Sequence, residues 1–329
     1  MKSIHRIKAA AAVGAALCLT SALWSPAILA QAPPGPGPGP GQGAPRGGGM
    51  AADPRVESRT YHLDGANIDV PYCVYKSTKV DKSKPAPLIV ALHGMGAPPS
   101  IMCNKTAVDL AEQGGYIMVA PMGYSTTGWY GSPVINMGGG GRGPGGARPP
   151  GAGPGAPGAG PPAGPAAAPG AGPGAGAAGG GPSNADIEKW SEADVMNVLG
   201  FMRKEFNVDP KRIYLTGHSM GGAGTLFLAG KHADLWAAAA PVAPASFMMN
   251  ATRGDILKSI QKANLPLMIV QGDADTVVPA SNTRQWVETA KEIGMKDFQY
   301  VEQPGIDHGP VITTSQKDIF EFFGKHSKK

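Results

Sequence analysis

Five consecutive residues, Gly217-His218-Ser219-Met220-Gly221, set one hydroxyl between glycines two positions away on either side. A G-x-S-x-G run at a strand-to-helix junction lifts the serine Oγ out of a sharp, strained turn, and its close neighbours must be small. The flanks suit that reading. "RIYLTG" has the apolar character of a buried strand, and "SMGGAGTLFLAGKH" that of a helix. A serine hydroxyl needs a base to take its proton and a carboxylate to orient that base. Both lie downstream, in the order acid then histidine. "LPLMIVQGDADTVVP" delivers Asp273 and Asp275 just past an apolar run, and "FQYVEQPGIDHGP" delivers His308 in the loop after another. His232, within the helix after the turn, and His326, in the charged tail, lack a strand-end position. His218 reads as a packing and hydrogen-bonding residue rather than a base. Ser219 as nucleophile, His308 as base and one of the two aspartates as orienter would perform acyl transfer.

The tetrahedral intermediate of such a reaction needs N–H donors aimed at its oxygen, each contributing a few kcal/mol to the transition state. One donor is expected from Met220, whose N–H opens a helix, and the second from "LHGMG", with Met95 ahead of Gly96. His93 reads as a structural residue of that loop. Tyr124, Trp129 and Tyr130 follow the apolar run "YIMVAP" and are expected either to wall a substrate pocket or to pack their loop onto the domain. Asp194 in "SEADVM" reads as a hydrogen-bonding helix residue.

These groups need rigid elements under them. Arg55 to Ser77 reads as two adjacent strands around the turn-like Asp64-Gly65, and Pro87 to Gly94 as a strand buried on both faces. A helix is expected from about Pro99 to Gln113, stopped by Gly114-Gly115, and then the strand Tyr116 to Pro121. Beyond Ser183 and Asn184, Val195, Val198, Leu199, Met202 and Phe206 recur on one helical face. Strands "RIYLTG", "LWAAAAPVA", "LPLMIVQG" and "DFQYVEQ" then alternate with helices after the serine, near Asp255 to Lys262, over Ser281 to Ile293 and over Thr314 to Lys325. The alternation predicts an α/β fold, with a mainly parallel central sheet covered by helices on both faces. Its chemistry belongs beyond the C-terminal ends of the strands.

Of the 329 residues, 49 are Gly and 33 Pro. Many of them fall in Ala32 to Met50 and in Gly138 to Pro182, tracts with almost nothing to bury, so they read as a disordered linker and a disordered insert. About 230 residues remain, enough for one catalytic domain. The expected organisation is a signal peptide over 1–30, a linker over 31–52 and a domain over 53–329 interrupted by the insert at 138–182. Lys2, Arg6 and Lys8 followed by the short apolar stretch Ala9 to Leu23 carry the export reading, secreted or periplasmic, with no stable membrane insertion after cleavage. The formal charge of +5 falls by those three basic residues, which leaves no bias toward nucleic acid or another polyanion. Cys73 and Cys103 either pair, as export permits, or stay as two buried thiols. The histidines show no His-Glu-x-x-His spacing, so neither a metal nor another cofactor is expected.

Together, "LIVALHGMG", the stretch from "SEADVM" through "GHSMGGAGTLFLA", "LPLMIVQGDADTVVP" and "DHG" make the chain resemble secreted α/β-hydrolases of the polyhydroxybutyrate depolymerase and feruloyl esterase group. The resemblance covers about Val56 to Phe323 apart from the insert. It implies the α/β-hydrolase fold and a cofactor-free serine carboxylic ester hydrolase acting on small or polymer-derived esters of feruloyl or short hydroxyalkanoate type. In that group the acid is the Asp of Gly-x-x-Asp-x-x-Val-Pro. Gly272, Val278 and Pro279 register it at Asp275, with Asp273 behind. The same machinery also serves serine peptidases and acyltransferases, and a non-catalytic binding protein is the third class.

Overall fold

The computed structural model describes residues 53–135 and 181–329. The leader, the linker and almost all of the insert lie outside the described residues. Eight strands form one sheet in the order β1-β2-β4-β3-β5-β6-β7-β8. They are β1 (Glu57–Leu63), β2 (Ile68–Lys76), β3 (Ala86–Leu92), β4 (Ile117–Pro121), β5 (Val208–His218), β6 (Ala238–Val242), β7 (Leu267–Gly272) and β8 (Phe298–Gln303). β1 and β2 run antiparallel to each other, and β2 to β4; every other pairing is parallel.

The continuous apolar runs follow from burial on both faces. Leu88, Val90 and Leu92 of β3, Ile213 and Leu215 of β5 and Leu267 and Ile269 of β7 point to one layer. That layer holds α2 (Asn184–Glu205), α3 (Met220–Lys231), α4 (Arg253–Lys262) and α5 (Ala280–Glu292). The alternate residues Ile89, Ala91, Tyr214, Met268 and Val270 face the other layer, with α1 (Lys105–Gly114) and α7 (Gln316–Gly324). A period of two along each strand thus serves two cores.

Two helices are cut differently from the sequence expectation. The stretch from Pro99 begins as a 3-10 turn, Pro99–Cys103, and α1 starts afresh at Lys105, because extended Asn104 accepts the Ala107 N–H on its side chain. The C-terminal stretch starts earlier, as α6 (Val311–Thr314), before α7. α2 opens with a reciprocal capping box between Ser183 and Asp186. Cys73 and Cys103 are joined as a disulfide, tying β2 to the 3-10 turn before α1.

The sheet approaches the turn after β5 so closely that side chains are excluded. A Cβ on Gly221 would strike the Leu92 carbonyl, and one on Gly217 the carbonyl of Gly221. Gly221→Ala is therefore expected to lower unfolding stability by about 1–3 kcal/mol. Gly254→Ala, in α4 with open space around the added methyl, should gain about 0.4–1 kcal/mol. Urea unfolding of both variants beside the parent checks the contrast.

Candidate active site

Ser219 stands between β5 and α3 at φ 57°, ψ −115°. Left-handed φ is costly for a residue with a Cβ, by roughly 1–3 kcal/mol, and persists only where the surroundings impose it. Here they do. The Ser219 N–H donates to Val242 O at 3.0 Å, and its carbonyl accepts from Ala223 and Ala245, each at 3.0 Å. The serine is anchored to β6, to α3 and to the loop after β6.

Asp275 follows β7, and its carboxylate is fully buried. Oδ1 accepts the N–H groups of Val277 (2.9 Å) and Val278 (2.7 Å). Oδ2 accepts Gln271 Nε2 at 3.1 Å and His308 Nδ1 at 2.7 Å. The Gln271 amide is itself fixed, because its Oε1 accepts from Thr283 Oγ1 at 2.6 Å. A chain of donors thus runs from α5 through Gln271 to the carboxylate and sets the imidazole tautomer, with the proton on Nδ1 and Nε2 left as acceptor. Asp273 does other work: it accepts the Gly305 N–H at 2.6 Å. Asp307 Oδ1 accepts His308 N at 2.7 Å and Thr276 N at 3.0 Å, and those amides hold its carboxyl below the usual range. The acid loop and the histidine loop are therefore stitched together by three aspartates, of which Asp275 meets the ring. Ser219 Oγ makes no hydrogen bond among the described residues.

The oxyanion candidates separate cleanly. The Gly96 N–H is spent on Thr126 O at 2.8 Å, which removes it as a donor. The Met95 N–H makes no hydrogen bond among the described residues, and Met220 is the first residue of α3, whose N–H has no carbonyl one turn earlier in the helix. Gly94 lies against the serine: a Cβ there would be 3.4 Å from Ser219 Cβ. Met95 follows Gly94 directly in the chain. His93 is buried, with Nε2 2.8 Å from Met122 O and Nδ1 2.8 Å from Gly94 O, so it is a strut of its loop, and burial pushes its pKa down.

The aromatic trio corrects the pocket expectation. Tyr124, Trp129 and Tyr130 are only 8%, 4% and 0% exposed, and they lie in the core clusters rather than along an open wall. Tyr130 OH accepts from His93 N at 3.0 Å and donates to its carbonyl, so the ring clamps the end of β3. All three residues have positive φ. α2 supplies what holds them there. Asp194 accepts Gly123 N at 2.6 Å and Tyr61 OH at 2.6 Å, and Ser191 Oγ accepts Gly131 N at 3.0 Å and donates to Gly128 O at 2.6 Å. Burial raises the Asp194 pKa. The exposed large apolar side chains among the described residues are instead Met95, Phe247, Met248 and Val277. Each sits on a segment tied to the site: Val277 N bonds Asp275, and Ala245, two residues before Phe247, bonds the Ser219 carbonyl. Sequence reasoning named Met95 for its N–H alone and missed the other three, because nothing in the sequence marks which loop side chains stay exposed.

His218 is buried and donates Nε2–H to the His308 carbonyl at 2.9 Å. Burial, then the nearby His308, pushes its pKa from 6.5 down to about 3. The unfolded chain takes a proton below 6.5 that the folded one refuses. Stability is therefore complete above that pH and falls as pH drops toward about 3, by about 1.4 kcal/mol per pH unit. Comparing chemical denaturation of the parent and His218→Leu across pH 4–7 should show that extra slope in the parent alone.

Comparisons with known proteins agree with this architecture. The model of the prolyl oligopeptidase family matches residues 183–256, the segment around the serine. Cutinase est1 of Thermobifida alba is 39% identical over 75 residues, which is 23% of this chain and 22% of that protein's length. A thermostable esterase superposes with a TM-score of 0.57 at 21% identity, over 83% of this chain and 64% of that one. A ferulic acid esterase from Anaeromyces mucronatus, solved with ferulic acid, gives 0.53 at 16% identity, over 82% and 90%. At such identities structural likeness speaks for the fold, and the fold of the described residues is that of the α/β-hydrolases.

Proposed function

We propose that this protein is a serine carboxylic ester hydrolase, exported from the cell, that works through an acyl-enzyme on Ser219. The observation that carries the reading is the 2.7 Å contact of buried Asp275, beyond β7, with His308, beyond β8, in the fold whose strained elbow presents Ser219. In this reading His308 Nε2 takes the Ser219 proton as Oγ attacks the ester carbonyl. The short shift that brings Oγ to Nε2 accompanies substrate binding, as catalytic hydrogen bonds tighten in the complex. The Met95 and Met220 N–H groups receive the oxyanion. Collapse expels the alcohol, which takes its proton from His308, and water then repeats the sequence on the acyl group. The Cys73–Cys103 disulfide supports an oxidising destination.

The exposed side chains of Met95, Phe247, Met248 and Val277 give the site apolar surroundings. They favour small or polymer-derived esters with apolar parts, of feruloyl or short hydroxyalkanoate type. A second reading, peptide cleavage, is favoured by the match to the prolyl oligopeptidase family. That match spans the elbow and its flanking helices, the part both chemistries share.

Ser219→Ala, His308→Ala and Asp275→Asn are each expected to lose nearly all esterase activity, and the losses should be far from additive because the three act as a unit. A panel of nitrophenyl esters of rising chain length, with methyl ferulate, a hydroxybutyrate oligomer and matched amides, tests the substrate class. Peak activity on the shorter or aryl esters is expected. A maximum on long acyl chains would sink the substrate proposal, and cleavage of amides but not esters would assign the peptidase chemistry.

A further inference from the structure

We propose that His218 is a positioning residue, which locks the acid and histidine loops onto the nucleophile elbow and so sets the approach of His308 to Ser219. The proposal rests on the triad reading above. Its basis is how unevenly the site is tied together. The acid loop and the histidine loop hold each other through Asp273 to Gly305, Asp307 to Thr276, Asp275 to His308 and the backbone bond from Ala274 N to Ile306 O. They are tied into one piece. Between that piece and residues 217–222, the only direct hydrogen bond among the described residues runs from His218 Nε2 to the His308 carbonyl, at 2.9 Å.

The ring is placed to do this. Its centroid is 4.5 Å from that of His308, tilted by 47°, so it also supports the face of the base. Its opposite edge lies on the oxyanion strand end, where a Cβ on Gly94 would be 3.2 Å from Nδ1. One side borders an apolar cavity that it shares with Ile89, Met118, Val242 and Ile319. Packing alone therefore leaves the ring free on that side, and the hydrogen bond fixes it. Because burial keeps the imidazole neutral, it has one N–H, and that N–H is spent on His308. Asp275 orients the base about its ring; His218 holds the backbone from which the ring hangs. A misplacement of about 1 Å at such a contact can cost on the order of a hundredfold in rate.

The experiment is steady-state kinetics on a soluble nitrophenyl ester with the parent, His218→Leu, His218→Gln and His218→Asn, and with Ser219→Ala as control. His218→Leu is expected to lose roughly 10- to 100-fold in kcat with KM within about twofold, since ground-state binding is untouched. Gln should recover most of the rate, because its amide nitrogen stands as far along the side chain as imidazole Nε2. Asn is a methylene too short and should behave like Leu. An unchanged kcat in His218→Leu, a loss confined to KM, or equal rates in the Gln and Asn variants would overturn the proposal. If the Leu variant does not fold, the Gln–Asn comparison decides it alone. Residual full activity in Ser219→Ala would instead bring down the triad reading, an outcome independent of what His218 does.

Discussion

The geometry of this site descends from the close approach of the β5–α3 turn to its neighbours. Gly217 and Gly221 let that turn press against Leu92 of β3, while Gly222 lets it press against Val242 and Pro244 after β6. No room remains for the Ser219 backbone to relax out of φ 57°. The strain is imposed by the sheet spacing on both sides and is held by the three backbone hydrogen bonds of Ser219. The same closeness brings the end of β3 up to the serine: a Cβ on Gly94 would be 3.4 Å from Ser219 Cβ. A looser turn would lose both features together.

Around this rigid centre the loops are anchored by carboxylates, those of Asp194 and Asp275 buried and that of Asp307 exposed. Loops at strand ends are rich in backbone N–H groups that no ladder satisfies, and an aspartate can accept two of them at once. Asp275 does so for Val277 and Val278, Asp307 for Thr276 and His308, and Asp194 for Gly123 and Tyr124. Only in the first case is an imidazole added. The Asp275–His308 contact is thus a small elaboration of a loop-holding device used three times.

That repetition explains what was legible in the sequence. The strands and helices were readable because each buries apolar residues at its own period, two along the strands and near 3.6 along α2. Ser219, the pair Asp273 and Asp275, and His308 stood out as candidates because each stands at a strand end in a fixed order, and the resemblance to known hydrolases put Asp275 ahead of Asp273. What stayed open or unread lies where side chains act through backbone contacts that no motif records. Tyr130 looks like a pocket aromatic but clamps His93 from within the core. Gly96 looks like an oxyanion donor, yet its N–H is consumed by Thr126. Asp307 sits inside the "DHG" motif, but its bond to Thr276 is set by the packing of two loops far apart in sequence.

The two sides of the site differ in how they are held, and this bears on where specificity resides. On the oxyanion side, the loop 122–132 is clamped by Asp194 and Ser191 of α2 and by Tyr130 against β3, with its aromatic rings turned inward. Few of its side chains are left to meet a substrate. On the other side, the segment after β6 is pinned from beneath by Asn282 and Trp286 of α5 through Pro244 O and Ser246 Oγ. That pinning leaves Phe247 and Met248 pointing away from the anchor and exposed. Val277, likewise exposed, extends from a backbone N–H already committed to Asp275. Rigid backbone with free apolar side chains is the arrangement expected of a selecting surface, because such residues can change without disturbing the machinery beneath. The exposed apolar side chains thus stand on the loops after β6 and β7, while the aromatic loop is spent on holding the end of β3 through Tyr130 and His93.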